Sequence, residues 1–448
     1  MAEFPFQSCD RELVESVYGQ FSPGAGVCID SRSVCPGAIF FGIPGQRVDG
    51  ASFAAEALAA GAALAVVGHA STGLPSDPRI VRTPDPALLL QALAAHHRGQ
   101  LSIPVLAVTG SNGKTTTRSL IQAALATRYL VGGTSGNHNN ELGLPLSILN
   151  APRDAQLLVL EMGASKPGDI ALLCALARPT HGLITNVGEA HLEGFGSLEG
   201  VAAAKGELFA HLAASGGTGF VNADDPLVAP QAERVHLGCS ASPYSQGMYQ
   251  AAASQGDDGQ LGAQLAWAGQ SYSLRTQLVG GYNLANLVAA LHVALHFNIE
   301  AQRAVEAFAS YQPVGHRSRL IAGARGNRII ADCYNANPSS MRLAVDNLLA
   351  LAGDAPKLLI LGAMNELGED SPRAHGELLD SLRGLENARM IYIGEQWNAA
   401  RRPGFWFHTT EHARAFIANE LPSDSWILVK GSRAYGLEAL VELLTGGE

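Results

Sequence analysis

Short apolar runs alternate with longer helical stretches along almost the whole chain. Ala38–Ile43 and Ala62–Val67 enclose an Ala-rich segment; Val105–Val108, Leu157–Leu160 and Gly182–Thr185 follow; Arg328–Cys333, Lys357–Gly362, Met390–Gly394 and Trp426–Val429 complete the series. The runs are continuous rather than alternating, so they predict strands covered on both faces, as in parallel sheets. Arg118–Arg128, Met341–Ala352 and Glu411–Leu421 carry helical patterning between them. Regular alternation of strand and helix predicts an α/β fold of doubly wound parallel sheets, with ligands at the carboxyl ends of the strands.

Two interruptions divide this rhythm. Pro75, Pro78, Pro84 and Pro86 cluster at the first, and the second falls near Tyr311–Gly315. A chain of 448 residues exceeds what one hydrophobic core supports. Three α/β domains are therefore expected, 1–82, 83–313 and 314–448. Ser240–Gln270, polar and rich in Gly, Ser and Gln, reads as a solvated loop or an edge-strand excursion. Ala51–Ala70 is apolar but carries Glu56 and is broken at Gly61, so it predicts a helix and then a short strand rather than a membrane span.

Composition narrows the class. With 47% hydrophobic and 16% charged residues the chain is built for buried globular domains, not disorder. A formal net charge of −10 argues against a nucleic-acid coat or a membrane-surface role, so neither a nucleic-acid partner nor a stable membrane association is expected. Cys9, Cys28, Cys35, Cys174, Cys239 and Cys333 show no CxxC spacing and read as reduced packing residues. The N-terminal segment lacks a basic region followed by an apolar run, which makes the cytoplasm the expected compartment.

Chemistry begins where the first central run ends. Val105–Val108 leads into Thr109-Gly110-Ser111-Asn112-Gly113-Lys114-Thr115-Thr116-Thr117 and then into a helical stretch. Gly110 and Gly113 let backbone N–H groups converge on phosphate oxygens, and a helix N-terminus adds partial positive charge. Lys114 is placed to reach outer phosphates and Thr115 to offer a hydroxyl to Mg²⁺. The phosphate-loop pattern G-x-x-x-x-G-K-[ST] would have glycine where Val108 stands.

Two further runs end in groups suited to a metal–nucleotide rim. Leu157–Leu160 is followed by Glu161, and Gly182–Thr185 by Asn186 and, five residues on, His191. Mg²⁺ prefers carboxylates and waters, which favours Glu161; an imidazole such as His191 is as readily a structural hydrogen-bonding group. Gly136-Asn137-His138-Asn139-Asn140 carries more amide side chains than one turn needs. Lys205, at the start of an apolar helical run, has nothing in its spacing to mark it.

These motifs together resemble the Mur ligase family, and the resemblance spans essentially the whole chain. TGSNGKTTT, GNHNNELGLP, EMGAS, TNVGEAHLEGFGS and AAAKGELF are similar to the family's ATP and magnesium site. Gly280–Asn286 resembles its G-x-H-N-x-x-N segment, with Tyr282 in place of histidine. Asp30-Ser31-Arg32, with Pro36–Gly50 and Phe53, resembles a UDP-sugar-binding module; Asp332–Met341 is similar to the D-x-YNANP-x-SM segment of the members that add D-alanyl-D-alanine; Lys430–Arg433 resembles the closing KGSR.

The resemblance implies a small N-terminal α/β UDP-binding domain, a central phosphate-loop ATPase domain with a parallel sheet, and a C-terminal Rossmann-like domain that binds the incoming dipeptide. It implies a monomer that joins D-Ala-D-Ala to UDP-MurNAc-tripeptide in peptidoglycan precursor synthesis, with ATP and Mg²⁺, through an acyl phosphate. On this basis Gly110, Ser111, Asn112, Gly113, Lys114, Thr115, Thr116, Asn283, Asn286, Arg317 and Asp332 would hold the nucleotide. Thr115, Glu161, His191 and Lys205, the last as a carbamate, would hold the metal, with Lys114, His191 and Lys205 central to catalysis. Asp30, Ser31, Arg32, Gly45, Asn139, Asn140, Asn335 and Asn337 would contact the organic substrates. Two departures bear on the C-terminal domain: Ala363 stands where LGDMxELG has aspartate, and Gly315–Arg319 lacks the acidic residue that often follows its arginine. The alternatives are a ligase of the same fold adding a single amino acid, and a phosphate-loop switch that hydrolyses nucleotide without a second substrate.

Overall fold

The computed structural model describes residues 4–45, 48–237, 241–255, 259–313, 315, 317–397 and 404–446, which form four sheets. The first contains β1 (Val27–Cys28), β2 (Ile39–Gly42), β3 (Leu64–Gly68) and β4 (Ile80–Thr83), parallel and in sequence order. Between β2 and β3 lies the short helix Ala54–Ala59, and Gly61 turns the chain at a φ of +103. After β4, helix Pro86–Gln100 begins with Asp85 accepting from the amides of Ala87 and Leu88. Its proline at the first turn sits where no amide donor is needed. This helix packs both on β2 and on central helices Gly143–Leu149 and Asp169–Ala177, so it bridges the first two layers.

The central sheet has six parallel strands: β5 (Val105–Thr109), β6 (Val131–Gly133), β7 (Leu157–Glu161), β8 (His181–Ile184), β9 (Thr218–Asn222) and β10 (Ala241–Tyr244), ordered β10-β9-β8-β5-β7-β6. In β5 the two-residue period sends Val105 and Ala107 into one apolar cluster and Leu106 and Val108 into another. Both faces are covered, which is why the run is continuous. Val108 is fully buried and pairs with Glu161 across the sheet. It belongs to the strand rather than to the loop, so glycine is not required there. β5 lies between β7 and β8, and the carboxyl ends of all three meet at one rim.

The stretch read as a solvated loop or edge excursion is more ordered than that. β10 does form the edge of the central sheet, but β11 (Ala252–Gln255), β12 (Leu261–Trp267) and β13 (Gln270–Arg275) add a separate antiparallel sheet. Leu261, Ala263, Leu265 and Leu274 anchor it to the second core cluster, beneath outward-facing polar side chains.

The last sheet contains β14 (Arg319–Ala322), β15 (Arg328–Asp332), β16 (Lys357–Gly362), β17 (Ala388–Ile393), β18 (Phe405–Phe407) and β19 (Trp426–Lys430), ordered β14-β15-β19-β16-β17-β18. Only the edge strand β14 is antiparallel. Cys28, Cys174 and Cys333 are buried as packing residues, whereas Cys35 is exposed, which corrects its reading as one; Cys239 lies outside the described residues. Among the described residues no helix is long and apolar enough to cross a membrane.

Candidate active site

The turn after β5 is shaped by its glycines. Gly110 and Gly113 have φ of +140 and +78; a Cβ on the first would lie 2.0 Å from Thr185 Oγ1, and on the second 2.6 Å from Asn286 Oδ1. The loop is braced by the end of β8: Asn186 accepts from the Asn112 amide and donates to its carbonyl, each at 3.0 Å, and Ser111 Oγ donates to the Gly188 carbonyl at 2.9 Å. Lys114 opens helix Lys114–Leu125 and folds its ammonium over the loop, 2.6 Å from the Gly110 carbonyl and 3.1 Å from that of Ser111. Desolvation lowers its pKa, Glu161 opposes that shift, and Arg317 adds to it.

Glu161 forms the floor. Its carboxylate, 1% exposed, accepts from Thr115 Oγ1 and Asn139 Nδ2, each at 2.8 Å, and lies 3.8 Å from the buried Arg118 guanidinium. Thr115 and Glu161 are thus brought together as oxygen donors. His191 and Lys205 are placed differently. His191, in the left-handed region at φ 53, has Nδ1 2.7 Å from Glu366 Oε2 of the C-terminal domain, a contact not aligned as a hydrogen bond. Lys205 is buried beneath the site, 3.5 Å from the Ala164 carbonyl and over the Phe195 ring. Burial, with a smaller contribution from Lys114, lowers its pKa to about 7. Among the described residues no three His, Cys, Asp or Glu side chains converge as a metal cluster. The Thr115–Glu161 pair nevertheless suits Mg²⁺, which takes few protein ligands and completes its shell with phosphates and water.

A cavity of about 540 Å³ opens above this floor, between the central and C-terminal domains. It is lined by Ser111, Asn112, Gly113, Lys114, Thr116, Asn139, Asn140, Glu161, His191, Asn283, Asn286, Arg317, Asp332, Asn335 and Asn337 among the expected residues. Several of these serve the scaffold. Asn286 accepts from Thr117 Oγ1 and donates to Asn283 Oδ1, and Asn283 donates to the Val279 carbonyl. Asn337 caps helix Pro338–Ala352 and donates to Asn112 Oδ1 at 2.9 Å, while Asn112 donates to Ser339 Oγ at 2.9 Å. Asp332 accepts from the Ser318 amide and pairs with Lys430 Nζ at 2.6 Å. Arg317 lies with its guanidinium carbon 3.4 Å from the centre of the Tyr334 ring.

Asp30, Ser31, Arg32 and Gly45 do not line this cavity. Asp30 caps the turn Ser31–Ser33, and the exposed Arg32 folds back onto it at 2.6 Å, holding the Asp30 carboxyl at about 2. Exposed Ile29, Val48 and Phe53 lie near these residues in sequence. Three groups at the site escaped sequence reasoning as site residues: Arg118, Glu366 and Lys430. Lys430, 2% exposed at the end of β19, and Glu366 each lie inside a family-like motif, the only signal available for them.

Comparison with known families places this geometry. Residues 25–98 match the Mur ligase family catalytic domain, 108–294 the Mur ligase middle domain, and 316–433 the Mur ligase glutamate ligase domain. The chain belongs to the Mur ligase family. Among the ligase's relatives, the UDP-N-acetylmuramoyl-tripeptide–D-alanyl-D-alanine ligase of Bacillus subtilis is 35% identical over 79% of this chain and 76% of its own. The enzyme of that name from Mycobacterium leprae is 33% identical over 93% and 92%. The crystal structure of MurF from Acinetobacter baumannii superposes with a TM-score of 0.79 at 29% identity, covering 94% of this chain and 93% of that one. MurF from Thermotoga maritima in complex with ADP gives 0.79 at 28%, covering 94% and 97%.

Proposed function

We propose that this Mur ligase joins D-Ala-D-Ala to UDP-MurNAc-tripeptide at the expense of ATP, as a cytoplasmic monomer in peptidoglycan precursor synthesis. The observation that carries the reading is the cavity shared by the phosphate loop and the Tyr334–Asn337 turn, in a chain whose relatives over most of its length bear that ligase's name. The tripeptide carboxylate would attack the γ-phosphorus of ATP, forming an acyl phosphate and releasing ADP. The dipeptide amine then attacks the acyl carbon, loses a proton, and expels phosphate. Negative charge grows on phosphoryl oxygens, so Lys114 and Arg317 are the cations suited to stabilise it. The C-terminal domain over the cleft excludes water, which would hydrolyse the acyl phosphate.

Thr115 and Glu161 would hold Mg²⁺, with His191 beside them; bound there, the ion neutralises phosphate charge. Lys205 suits a carbamate, because an amine with pKa near 7 is substantially unprotonated at neutral pH and its lone pair can add to CO₂ with loss of one proton. Asp30, Ser31, Arg32 and Gly45 would take the UDP end, and Asn139, Asn140, Asn335 and Asn337 the peptide ends. The domains are read as 1–82, 83–313 and 314–448. Phosphate release should require ATP, UDP-MurNAc-tripeptide and D-Ala-D-Ala together. Release with nucleotide alone, or with a single amino acid and the dipeptide precursor instead, would overturn the assignment.

A further inference from the structure

The entry to the C-terminal domain is tied back to the central domain by a run of polar contacts. Ser318 has a φ of 47, a left-handed conformation that costs an L-residue of order 1 kcal/mol and persists only where the surroundings impose it. Its amide donates to Asp332 Oδ1 at 3.1 Å, and its hydroxyl bonds the phenol of Tyr282, which comes from the central domain. The other Asp332 oxygen takes Lys430 Nζ at 2.6 Å, and Lys430 also donates to the Asn335 carbonyl at 3.2 Å. Tyr282, Ser318, Asp332, Lys430 and Asn335 therefore form one connected path across the cleft. Arg317, next to Ser318 in the chain, lies on Tyr334. Tyr282, one of the positions where this chain departs from the family pattern, makes the hydrogen bond to Ser318.

We propose that Tyr282 is a positioning residue: its hydroxyl, acting through Ser318, fixes Arg317 and Asp332 where the nucleotide lies, and so couples the seating of the C-terminal domain to the phosphate site. This rests on reading the cleft as a nucleotide site. Lys430 holds the far side of Asp332, so the carboxylate is clamped between the linker and β19. Removing the phenol oxygen frees one end of the clamp while the ring stays in place.

Tyr282→Phe and Ser318→Ala each delete one partner of the same bond, and loss of one neutral hydrogen bond corresponds to about a three- to tenfold change. In the full-length protein without ligands, amide exchange in residues 317–322 should quicken by about that factor in either variant. The double variant should be no faster than the singles, and the unfolding midpoint should fall by no more than one lost hydrogen bond accounts for. In steady-state assays, KM for ATP should rise by a similar factor with KM for the dipeptide unchanged, a split that mere loss of folded protein would not produce. Unchanged exchange at 317–322 in Tyr282→Phe overturns the inference whether or not the protein turns over. Absence of turnover in the unaltered protein overturns the ligase reading instead and leaves the exchange measurement to decide this one.

Discussion

Replacing Glu161 by glutamine separates charge from shape at the floor of the cleft. The carboxylate accepts from Thr115 Oγ1 and Asn139 Nδ2, each at 2.8 Å. In the amide, the carbonyl can keep the Asn139 donor while the NH₂ faces Thr115, whose hydroxyl turns from donor to acceptor. Both hydrogen bonds survive and only the charge is lost. That charge lies 3.8 Å from Arg118 Nη1, where two unit charges interact by about 4 kcal/mol at an effective dielectric of ~20. Against this, the desolvation of the carboxylate, several kcal/mol in a buried site, is relieved at the same time. Arg118 keeps its bond to the Thr134 carbonyl at 2.7 Å, so it is not stranded. The net loss of stability should be about 1–2 kcal/mol. Turnover should fall by at least about 100-fold, because the anion that suits the metal is gone. Urea unfolding of both proteins, followed by phosphate release across a Mg²⁺ titration, measures the two effects. Wild-type turnover with wild-type Mg²⁺ dependence would refute the metal role. A stability loss above about 4 kcal/mol would show that glutamine does not preserve the hydrogen bonds.

Lys205→Ala should be largely inactive and partly restored by short carboxylates, and the unaltered enzyme should lose activity when bicarbonate is stripped; no rescue and no sensitivity to CO₂ would count against the carbamate. His181 and His292 are each held at about 4, chiefly by burial, so the unfolded chain takes up protons first as pH falls below about 6.5. Stability should therefore drop between about pH 6.5 and 4, by on the order of 2 kcal/mol per histidine at pH 5, and His292→Gln should flatten the slope of unfolding free energy against pH; an unaltered slope would show that His292 does not carry it. Arg342→Ala breaks a 2.6 Å contact with Glu189 across the domain boundary, but the partners are 42% and 25% exposed. Its stability cost should stay below about 1 kcal/mol while KM values rise, and a larger shift in the melting temperature than that implies would contradict its reading as a solvent-screened surface pair.

What could be read from the sequence followed from locality. β5, β7, β16 and β19 are buried on both faces, and a continuous apolar run bounded by turns fits little besides such a strand. The β11–β13 sheet was hidden because it buries one face only: in β13 Leu274 alone is fully covered among QSYSLR. The phosphate loop was legible because strand, glycines, lysine and helix are contiguous. Glu366 and Lys430 were not, since their importance lies in contacts with His191 and Asp332, about 175 and 98 residues away in sequence. Asn337 shows the opposite limit. Its place in a motif suggested substrate, and the motif alone did not show that its side chain, at the cleft wall, also caps a helix and reaches Asn112.

The character of the domain boundary bears on how such an enzyme cycles. Asn112–Asn337, Glu189–Arg342, His191–Glu366 and Tyr282–Ser318 all cross between the central and C-terminal domains, and all are polar. Each is worth about 1 kcal/mol or less when both partners can return to water. With Asn112–Ser339, Glu189–Arg373 and the Glu193 amide on the Glu366 carbonyl, such contacts favour the seated arrangement by several kcal/mol at most, before the entropy of ordering is counted. Apolar packing adds to them, since Leu192 and Phe195 of the central domain share a core cluster with Met364 and Leu367 of the C-terminal domain, and opening must part that surface as well. An acyl phosphate demands a cleft shut against water, and release of ADP and the lengthened peptide demands that it open again. Weak, directional contacts that touch the phosphate loop itself satisfy both demands, because filling the loop with nucleotide can tip a balance of that size, and emptying it can tip the balance back.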